Sequence, residues 1–390
     1  MKYLNISISN LKSREGLNTA REICGQPKLW AETHSKLIKE KMQISRFLGN
    51  VLQNDSLNII LTGAGSSAFI GEALEGTFQK NLEVSTRAIA TTDIISHPED
   101  YFIRAKPTLL ISFARSGDSP ESLAAAEIAN QYCDVLYEFV ITCNPKGKLV
   151  ERNCIDNCLV FLLPEEANDK ALAMTGSFTS MLLAGLLISD IQNIESKLPI
   201  IQNLEILGNY ILNEYSLKLQ KIADMEFERV VFLGSGPLFG VAHESHLKVQ
   251  ELTDGRVICK FDSFLGFRHG PMAVVDESTI IFYLFSNNDY VRQYEVDLVK
   301  SIKKIPKGTK YVGIGDNLKS KKFKFDLAIQ FSNGTKGIPE EFLSVFYVLP
   351  AQILGFYKSL NFGLSPDSPS INGSISRVVQ GVKIYLPTTI

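Results

Sequence analysis

The sequence has little net charge and no long apolar run. Its 40 basic and 42 acidic side chains leave a formal net charge of -2, which gives no long-range field to attract nucleic acid or an anionic membrane. No stretch approaches the ~20 uninterrupted apolar residues that cross a bilayer, and the longest candidate, residues 181–188, is followed by Ser189 and Asp190. Residues 1–16 contain no secretory apolar run. We therefore expect a cytoplasmic protein with small-molecule partners, and neither nucleic acid nor membrane among them.

Cysteine and histidine are also scarce, which bears on disulfides and metals. The 6 cysteines are spread along 390 residues without a Cys-x-x-Cys pair, so we interpret them, Cys154 and Cys158 included, as reduced and mostly structural thiols. His243 and His246 lack the His-Glu-x-x-His spacing of a zinc helix, and no thiol or third histidine lies nearby in the sequence. The sequence predicts no metal site.

Short hydrophobic runs alternate with segments of helical period, which is typical of strands and helices in a parallel sheet. The length of 390 residues fits two to three domains of ~150 residues. Helices are predicted at 169–190 and at 201–225, the second as a bridge between two halves. The predicted strands are four in each half, at 57–61, 108–113, 139–142 and 159–163 and at 230–233, 280–285, 311–314 and 327–331.

The two halves are predicted to be an internal repeat. The sequence GAGS at 63–66 is echoed by GSGP 171 residues later, and LISF at 110–113 is echoed by LFSN 174 residues later. A similar offset at two places favours duplication over chance. The predicted division is 1–48 for an N-terminal arm and helix, 49–200 for the first domain, 201–362 for the second domain and 363–390 for a C-terminal tail.

Two loops of the first half have the composition of an anion site. GAGSS at 63–67 allows close backbone approach and adds hydroxyl groups, and RSGDSPES at 115–122 supplies a cation, hydroxyl groups and a helix start. Ligands of open parallel sheets bind beyond the carboxyl ends of the strands, where helix N-termini favour anions. Either loop alone could instead be a helix N-cap. Because both follow neighbouring strands, we predict one phosphate monoester, held by Gly65, Ser66, Ser67, Arg115, Ser116 and Ser119.

The second half offers a comparison for this prediction. Its equivalent positions, 237–239 and 287–289, lack the hydroxyl cluster, so only the first copy is expected to bind phosphate. A dinucleotide is disfavoured in both halves. The third glycine of the Rossmann fingerprint would fall at Ala68 or Phe239, and no acidic residue ends a second strand about 20 residues on.

The second half carries candidate acid-base residues instead. A helix is predicted over 244–252, which places Lys248 and Glu251 on one face at i, i+3, and His269 follows in a glycine-flanked turn. Aldose-ketose interconversion needs one base that moves a proton between C1 and C2 and a second group that opens the ring, and Glu251 and His269 fit these tasks. The alternatives are a solvated ion pair and a turn histidine with a structural role.

These motifs together resemble tandem SIS-domain proteins, most closely the tagatose-6-phosphate ketose/aldose isomerase group, the AgaS-like galactosamine-6-phosphate deaminase/isomerases. The likeness covers nearly the whole chain. It implies an α/β fold of two tandem SIS domains, each a flavodoxin-like, doubly wound parallel sheet between helices. The motifs that carry it are EICGQPKLW at 22–30, TGAGSSAFIG at 62–71, SFARSGDSPES at 112–122, FLGFRHGP at 264–271, GLSPD at 363–367 and RVVQGV at 377–382.

A more distant likeness to the isomerase half of glucosamine-6-phosphate synthase implies roles for single residues. Glu251 would move the C1/C2 proton, His269 from a partner subunit would assist ring opening, and Lys248 matches an active-site lysine. The tail sequence SPDSPS at 365–370 has no counterpart of the synthase's Schiff-base lysine. Ala114 replaces a phosphate-loop serine, and Arg115 would compensate. The residues implied to hold phosphate are Gly65, Ser67, Ser116 and Ser119.

The resemblance thus implies an enzyme that acts on a hexose or hexosamine 6-phosphate without cofactor or metal. The expected reaction converts galactosamine 6-phosphate to tagatose 6-phosphate and ammonia, by a homodimer or higher homo-oligomer. Isomerisation of a neutral hexose phosphate without ammonia release is one alternative. A non-catalytic sugar-phosphate sensor is another, which the lack of a basic DNA-binding appendage disfavours.

Overall fold

The computed structural model describes residues 1–152, 157–302, 308–318, 324–331, 334–335, 337–379 and 381–385. The chain forms two compact units, each containing one parallel sheet. The first-sheet unit consists of Lys28–Asp169, Gly176–Gln202 and Ile375–Ile390. The second-sheet unit consists of Met1–Pro27, Lys170–Thr175 and Asn203–Ser374.

A short hairpin and a long helix begin the chain. Strands β1 (Lys2–Tyr3) and β2 (Ile6–Ser7) pair antiparallel, and the helices α1 (Ile8–Ser13) and α2 (Leu17–Val51) follow. Helix α2 contains the helix that was predicted within residues 1–48, and it includes Pro27. The division between the two units falls directly after this proline.

The first-sheet unit contains five parallel strands in the order β4-β3-β5-β6-β7. When the five strands of this sheet are renumbered in chain order, this is the 2-1-3-4-5 order of flavodoxin-like doubly wound folds. All four predicted strands are confirmed, and β4 is added at the edge. The elements are β3 (Asn58–Thr62), α3 (Ser66–Leu82), β4 (Thr86–Ala88), α4 (Thr91–Ser96), β5 (Thr108–Ala114), α5 (Pro120–Tyr132), β6 (Leu136–Thr142), α6 (Lys148–Glu151), β7 (Cys158–Leu162) and α7 (Gly176–Ile188).

The second sheet has the same strand order, β9-β8-β10-β11-β12, and all its pairings are parallel. Again the four predicted strands are confirmed, and an edge strand, β9, is added. The remaining elements are α8 (Leu198–Glu214), α9 (Ser216–Ala223), β8 (Arg229–Leu233), α10 (Pro237–Leu252), β9 (Ile258–Asp262), α11 (Phe264–Phe267), β10 (Thr279–Leu284), α12 (Asp289–Ile302), β11 (Lys310–Ile314), β12 (Leu327–Ile329), α13 (Glu340–Tyr347) and α14 (Leu349–Asn361).

The predicted repeat is visible in backbone conformation as well as in strand order. Gly65 has φ 56 and ψ -128, and Gly236 has φ 57 and ψ -130, a conformation that L side chains rarely adopt. The preceding glycines have no room for a side chain. A Cβ on Gly63 would lie 2.5 Å from the Cβ of Ser67, and one on Gly234 would lie 2.1 Å from a backbone oxygen. Both sheets therefore pass into a helix through the same tight turn.

The longest apolar helical stretch is Glu340–Asn361, not residues 181–188 as expected. Its 22 residues are long and apolar enough to cross a membrane by length and composition, but its apolar window is fully buried within the protein. Polar residues interrupt the apolar residues of this segment, so the sequence shows no long uninterrupted apolar run here. One of them, Lys358, donates to the carbonyl groups of Ala223 and Met225.

Two of the long sequence motifs serve the fold by binding backbone amides in the second-sheet unit. The carboxylate of Asp367 accepts hydrogen bonds from the N–H groups of Asn18 and Thr19 at 3.1 and 2.8 Å, which caps the first turn of α2. The carboxylate of Glu22 accepts from the N–H of Lys170 at 2.7 Å, and the N–H of Leu172 donates to the Asp367 carbonyl. These bonds fix the segment Lys170–Thr175.

Among the described residues, the cysteines form no disulfide bond. Burial raises the pKa of Cys24 to about 11 and raises the pKa of Cys143 still further, which disfavours the reactive thiolate form. This agrees with a structural role for both side chains. Cys154 lies outside the described residues.

Asp367→Ala should lower stability by about 1–2 kcal/mol, because it removes a helix cap that accepts several hydrogen bonds. The melting temperature and the urea transition of the second-sheet unit report the loss. The matched control is Asp297→Ala, which removes an exposed carboxylate that pairs with exposed Lys300. Equal stability of the two variants would contradict the capping role.

Candidate active site

The first predicted phosphate loop joins β3 to α3. Ser66 and Ser67 open α3 and are buried, and the N–H of Ala68 donates to the Gly65 carbonyl at 2.8 Å. Gly65, as the N-cap residue, brings no side chain to this turn. The positive end of the α3 dipole and two hydroxyl groups therefore lie together at the carboxyl end of β3.

The second predicted loop joins β5 to α5, and Ser119 caps this helix. The N–H of Ser122 donates to the Ser119 hydroxyl at 3.1 Å, so the capping role that the sequence allowed is present. The hydroxyl of Ser116 accepts from the N–H of Asp118 at 3.2 Å. The Asn144 side chain donates to the Ser116 carbonyl at 2.8 Å and braces the loop.

The two loops lie at one edge of the first sheet. Strands β3 and β5 pair directly, with Thr62 opposite Ser112. The loops leave neighbouring strands at their carboxyl ends, where two helix N-termini and several hydroxyl groups favour an anion. The structure thus brings the six predicted phosphate-binding residues to the same edge of one unit.

Arg115 is buried at the start of the second loop, where it forms a hydrogen bond with the C-terminal segment. Its guanidinium donates to the carbonyl of Arg377 at 2.6 Å. Arg377 was not among the predicted site residues. The motif RVVQGV, which begins at this arginine, was the available signal.

The predicted acid-base residues of α10 form a buried ionic group. The Lys248 ammonium lies 2.6 Å from a carboxylate oxygen of Glu251 and 3.3 Å from one of Glu244. The side chains of Lys248 and Glu244 are fully buried, whereas that of Glu251 is 21% exposed. The solvated ion pair that the sequence also allowed is therefore excluded for this helix face, and Glu251 is the one of the two carboxylates that solvent reaches.

Electrostatics keep Lys248 charged in this environment. Burial acts to lower its pKa, but the carboxylates of Glu244 and Glu251 outweigh burial and raise the pKa above its ordinary value. Sequence reasoning missed Glu244. Its i, i+4 spacing to Lys248 was the available signal.

His269 lies in the turn after α11 and is exposed. Its N–H donates to the Gly266 carbonyl at 2.9 Å, and Gly270 follows with φ 120. Within the described chain the His269 side chain makes no hydrogen bond or ion pair, so the structure does not join it to Glu251. Lys248, Glu251 and His269 belong to the second-sheet unit, and the phosphate loops belong to the first-sheet unit.

His243 and His246 pack against an aromatic ring. The ring centroids of His243 and Phe261 are 3.7 Å apart and stacked, and His246 lies 4.9 Å from the same ring. Burial lowers the pKa of His246 to about 4. Among the residues that the structure describes, no group of three or more His, Cys, Asp or Glu side chains could hold a metal ion.

The second copy of the sheet carries carboxyl groups where the first carries its second phosphate loop. After β10, the N–H of Ser286 donates to Glu295 at 3.0 Å and the Ser286 hydroxyl donates to Glu340. Burial raises the pKa of Glu295 to about 8, although the Ser286 N–H and Arg292 act to lower it. These carboxyl groups accept from both the N–H and the hydroxyl of Ser286, so neither donor is left for a bound anion.

Comparison with known proteins gives a consistent result. The chain is 40% identical over 390 residues to the D-galactosamine-6-phosphate deaminase AgaS of Shewanella sp. (strain ANA-3), covering 98% of this chain and 95% of the relative. It is 36% identical over 378 residues to the protein of the same name from Escherichia coli, covering 95% and 96%. No family model matches the chain.

Solved structures agree with the sequence relatives. A Clostridium novyi NT protein assigned as a tagatose-6-phosphate ketose/aldose isomerase has a TM-score of 0.94 and 41% identity, covering 99% of each chain. Tagatose-6-phosphate ketose/aldose isomerase from Escherichia coli has a TM-score of 0.86 and 33% identity, covering 95% and 96%. The C-terminal domain of glucosamine-fructose-6-phosphate aminotransferase from Francisella tularensis, at 17% identity and a TM-score of 0.71, shares the fold.

Lys248→Met should destabilise the protein by about 3–5 kcal/mol, because it removes the cation from a buried carboxylate, Glu244. The double variant Glu244→Gln, Lys248→Met should recover most of this loss. Thermal and urea unfolding of both variants measure the effect. Lys300→Met is the control, since its ion pair with Asp297 is exposed and contributes only about 0–1 kcal/mol. A single variant as stable as wild type would argue against the buried ionic group.

Glu295→Gln should make stability less dependent on pH. The pKa of Glu295 is about 8 in the folded chain and 4.5 in its ordinary state, so its contribution is full below about pH 4.5 and is lost as pH rises through about 8. Between about pH 6 and pH 9 the melting temperature of wild type should fall further than that of the variant. Glu277→Gln, at an exposed position, should behave as wild type. Parallel melting profiles for wild type and Glu295→Gln would refute the assignment.

Proposed function

The chain belongs to the AgaS family of SIS-fold sugar-phosphate enzymes, and we propose on that basis that it converts galactosamine 6-phosphate to tagatose 6-phosphate and ammonia. The observation that most supports this is the pair of hydroxyl-bearing helix N-termini at one edge of the first sheet. A phosphate monoester is the anion that such an edge favours. In this proposal residues 49–200 bind phosphate and residues 201–362 supply acid-base groups.

The reaction begins with ring opening, in which the C1–O5 bond breaks and the proton of the anomeric hydroxyl is transferred to O5. His269 is the proposed proton carrier for this step. Its turn position leaves the imidazole exposed, and an imidazole exchanges protons readily near neutral pH. The product is an open-chain aldehyde with an amino group on C2.

Glu251 then moves a proton from C2 to C1. Removal of the C2 proton, with addition of a proton to O1, gives an enaminol. Return of the proton to C1, with loss of a proton from the amino nitrogen, gives an imine at C2. Water adds to this imine and ammonia leaves, so one water is consumed for each ketose and ammonia formed. The proposed steps transfer protons and a water molecule, and no oxidant or reductant is needed.

Lys248 supports this role of Glu251 by position. Its buried ammonium lies 2.6 Å from a carboxylate oxygen of Glu251, which fixes the orientation of the carboxylate. Glu244 holds the other side of the same ammonium.

Isomerisation of a neutral hexose phosphate without ammonia release is the second candidate function. The names of the two solved relatives, tagatose-6-phosphate ketose/aldose isomerases, favour it. Ring opening and proton transfer through Glu251 would be common to both reactions. Only the imine step distinguishes them, and that step depends on whether C2 carries an amino or a hydroxyl group.

The proposed setting is the cytoplasm, with a homodimer or higher homo-oligomer as the active form and neither nucleic acid nor membrane as a partner. The free thiols and the formal net charge of -2 support this setting. The proposed partner subunit would contribute His269, whose side chain makes no hydrogen bond or ion pair within the described chain. C2–N cleavage by water makes the overall reaction hydrolytic.

Glu251→Gln should lower kcat about 100- to 10,000-fold, because it removes the base that transfers the proton, while substrate binding is retained. Ammonia and ketose are both measured on a panel of hexose and hexosamine 6-phosphates, and binding is measured by calorimetry. Gln250→Ala, on the exposed side of the same helix, is the control. Ketose formed from a neutral hexose phosphate, without ammonia from any amino sugar phosphate, would favour the second candidate. Full turnover by Glu251→Gln would refute the proposed mechanism.

A further inference from the structure

The side chain of Arg377 anchors the C-terminal segment of the first-sheet unit. Its Nε donates to the carbonyl of Asp169 at 2.8 Å, and a terminal nitrogen donates to the side-chain oxygen of Asn168 at 2.6 Å. Two bonds from one planar guanidinium fix both the position and the orientation of the residue. The anchor therefore determines where the backbone of Arg377 lies.

The partners of Arg377 are themselves fixed. The carboxylate of Asp169 accepts from the N–H groups of Gly176 and Ser177 at 3.1 and 2.9 Å, which caps α7. Every residue of α7 is buried. The anchoring point of the C-terminal segment is thus a core helix of the same unit.

The backbone of Arg377 in turn contacts the second phosphate loop. Its carbonyl accepts a hydrogen bond from Arg115 at 2.6 Å, and the Arg115 side chain is only 7% exposed. Arg115 directly precedes Ser116, the first hydroxyl residue of that loop. A continuous path of hydrogen bonds therefore runs from α7 through Asp169 and Arg377 to Arg115.

We infer that Arg377 is a positioning residue that sets the place of Arg115 and the 115–119 loop, and that the C-terminal segment thereby controls phosphate affinity. This inference rests on the proposed phosphate site. Arg377 acts through Arg115 and needs no contact with the substrate. Loss of its side chain frees the carbonyl that holds Arg115, so the cation at the start of the loop loses its fixed position.

Inorganic phosphate is the probe for this role, because its binding does not depend on which sugar is the substrate. Calorimetry should show that Arg377→Met weakens phosphate binding about 10-fold, the loss expected for one misplaced charge-assisted hydrogen bond. With the sugar phosphate, KM should rise by a similar factor while kcat changes little. Arg377→Lys should not restore affinity, because an ammonium lacks the planar fork.

A double-variant cycle tests whether Arg377 acts through Arg115. In an Arg115→Met background, Arg377→Met should cause no further loss of phosphate affinity, since the residue that it positions is gone. Added methylguanidinium should restore part of the affinity of Arg377→Ala. The controls are Arg152→Met, an arginine of the same unit paired with Glu138, and Val379→Ala, an exposed position of the same segment.

The outcomes separate the inference from the proposed function. Wild-type phosphate affinity in Arg377→Met, or an undiminished effect in the Arg115→Met background, would overturn the positioning role alone. Absence of phosphate binding by the wild-type protein would overturn the proposed phosphate site together with it. A melting temperature close to that of wild type shows that the variant folds. If Arg377→Met does not fold, the other variants decide. Wild-type phosphate affinity in Arg377→Lys, or no recovery of affinity when methylguanidinium is added to Arg377→Ala, would refute the inference.

Discussion

In each sheet, the tight turn from a central strand into the following helix, β3 to α3 and β8 to α10, determines which groups lie at the carboxyl edge of the sheet. Gly63 and Gly234 leave no room for a Cβ, and Gly65 and Gly236 adopt the same left-handed conformation. A larger residue at either of the first two positions would push the helix away from the strand end. Because the helix starts so close, its N-terminal amides point to the edge where ligands of parallel sheets bind.

The two copies differ in the polar groups that this shared backbone presents. The first copy carries hydroxyl groups at the helix starts, which suit an anion, whereas the second carries Glu295 and Glu340 after its central strand. In the second copy, the helix that follows the glycine turn is α10, and it carries its candidate acid-base residues several turns later, at Lys248 and Glu251. Duplication thus supplied one scaffold twice, and side-chain replacement divided binding and proton transfer between the copies in our proposal.

Sequence patterns predicted eight of the ten strands of the two sheets because continuous apolar runs between helices have few other interpretations. The edge strands β4 and β9 were not predicted because they are short or contain charged residues. Arg87 lies in β4 and Lys260 in β9, and both segments become strands only by pairing with a neighbour. Arg377 was not predicted because tertiary packing sets its partners. Glu244 was not predicted because tertiary packing sets its burial, although its i, i+4 spacing to Lys248 is visible in the sequence. The roles of the predicted site residues remain predictions, since hydroxyl and carboxylate positions alone do not identify a substrate.

The cap on α2 comes from the far end of the chain, and this has a consequence for biosynthesis. Asn18 and Thr19 receive their carboxylate partner only when residue 367 has left the ribosome. The first sheet is complete in sequence by β7, so its strands can pair while synthesis continues. The first turn of the N-terminal helix is therefore among the last parts of the molecule to mature, and truncated translation products would display it uncapped to cellular proteases.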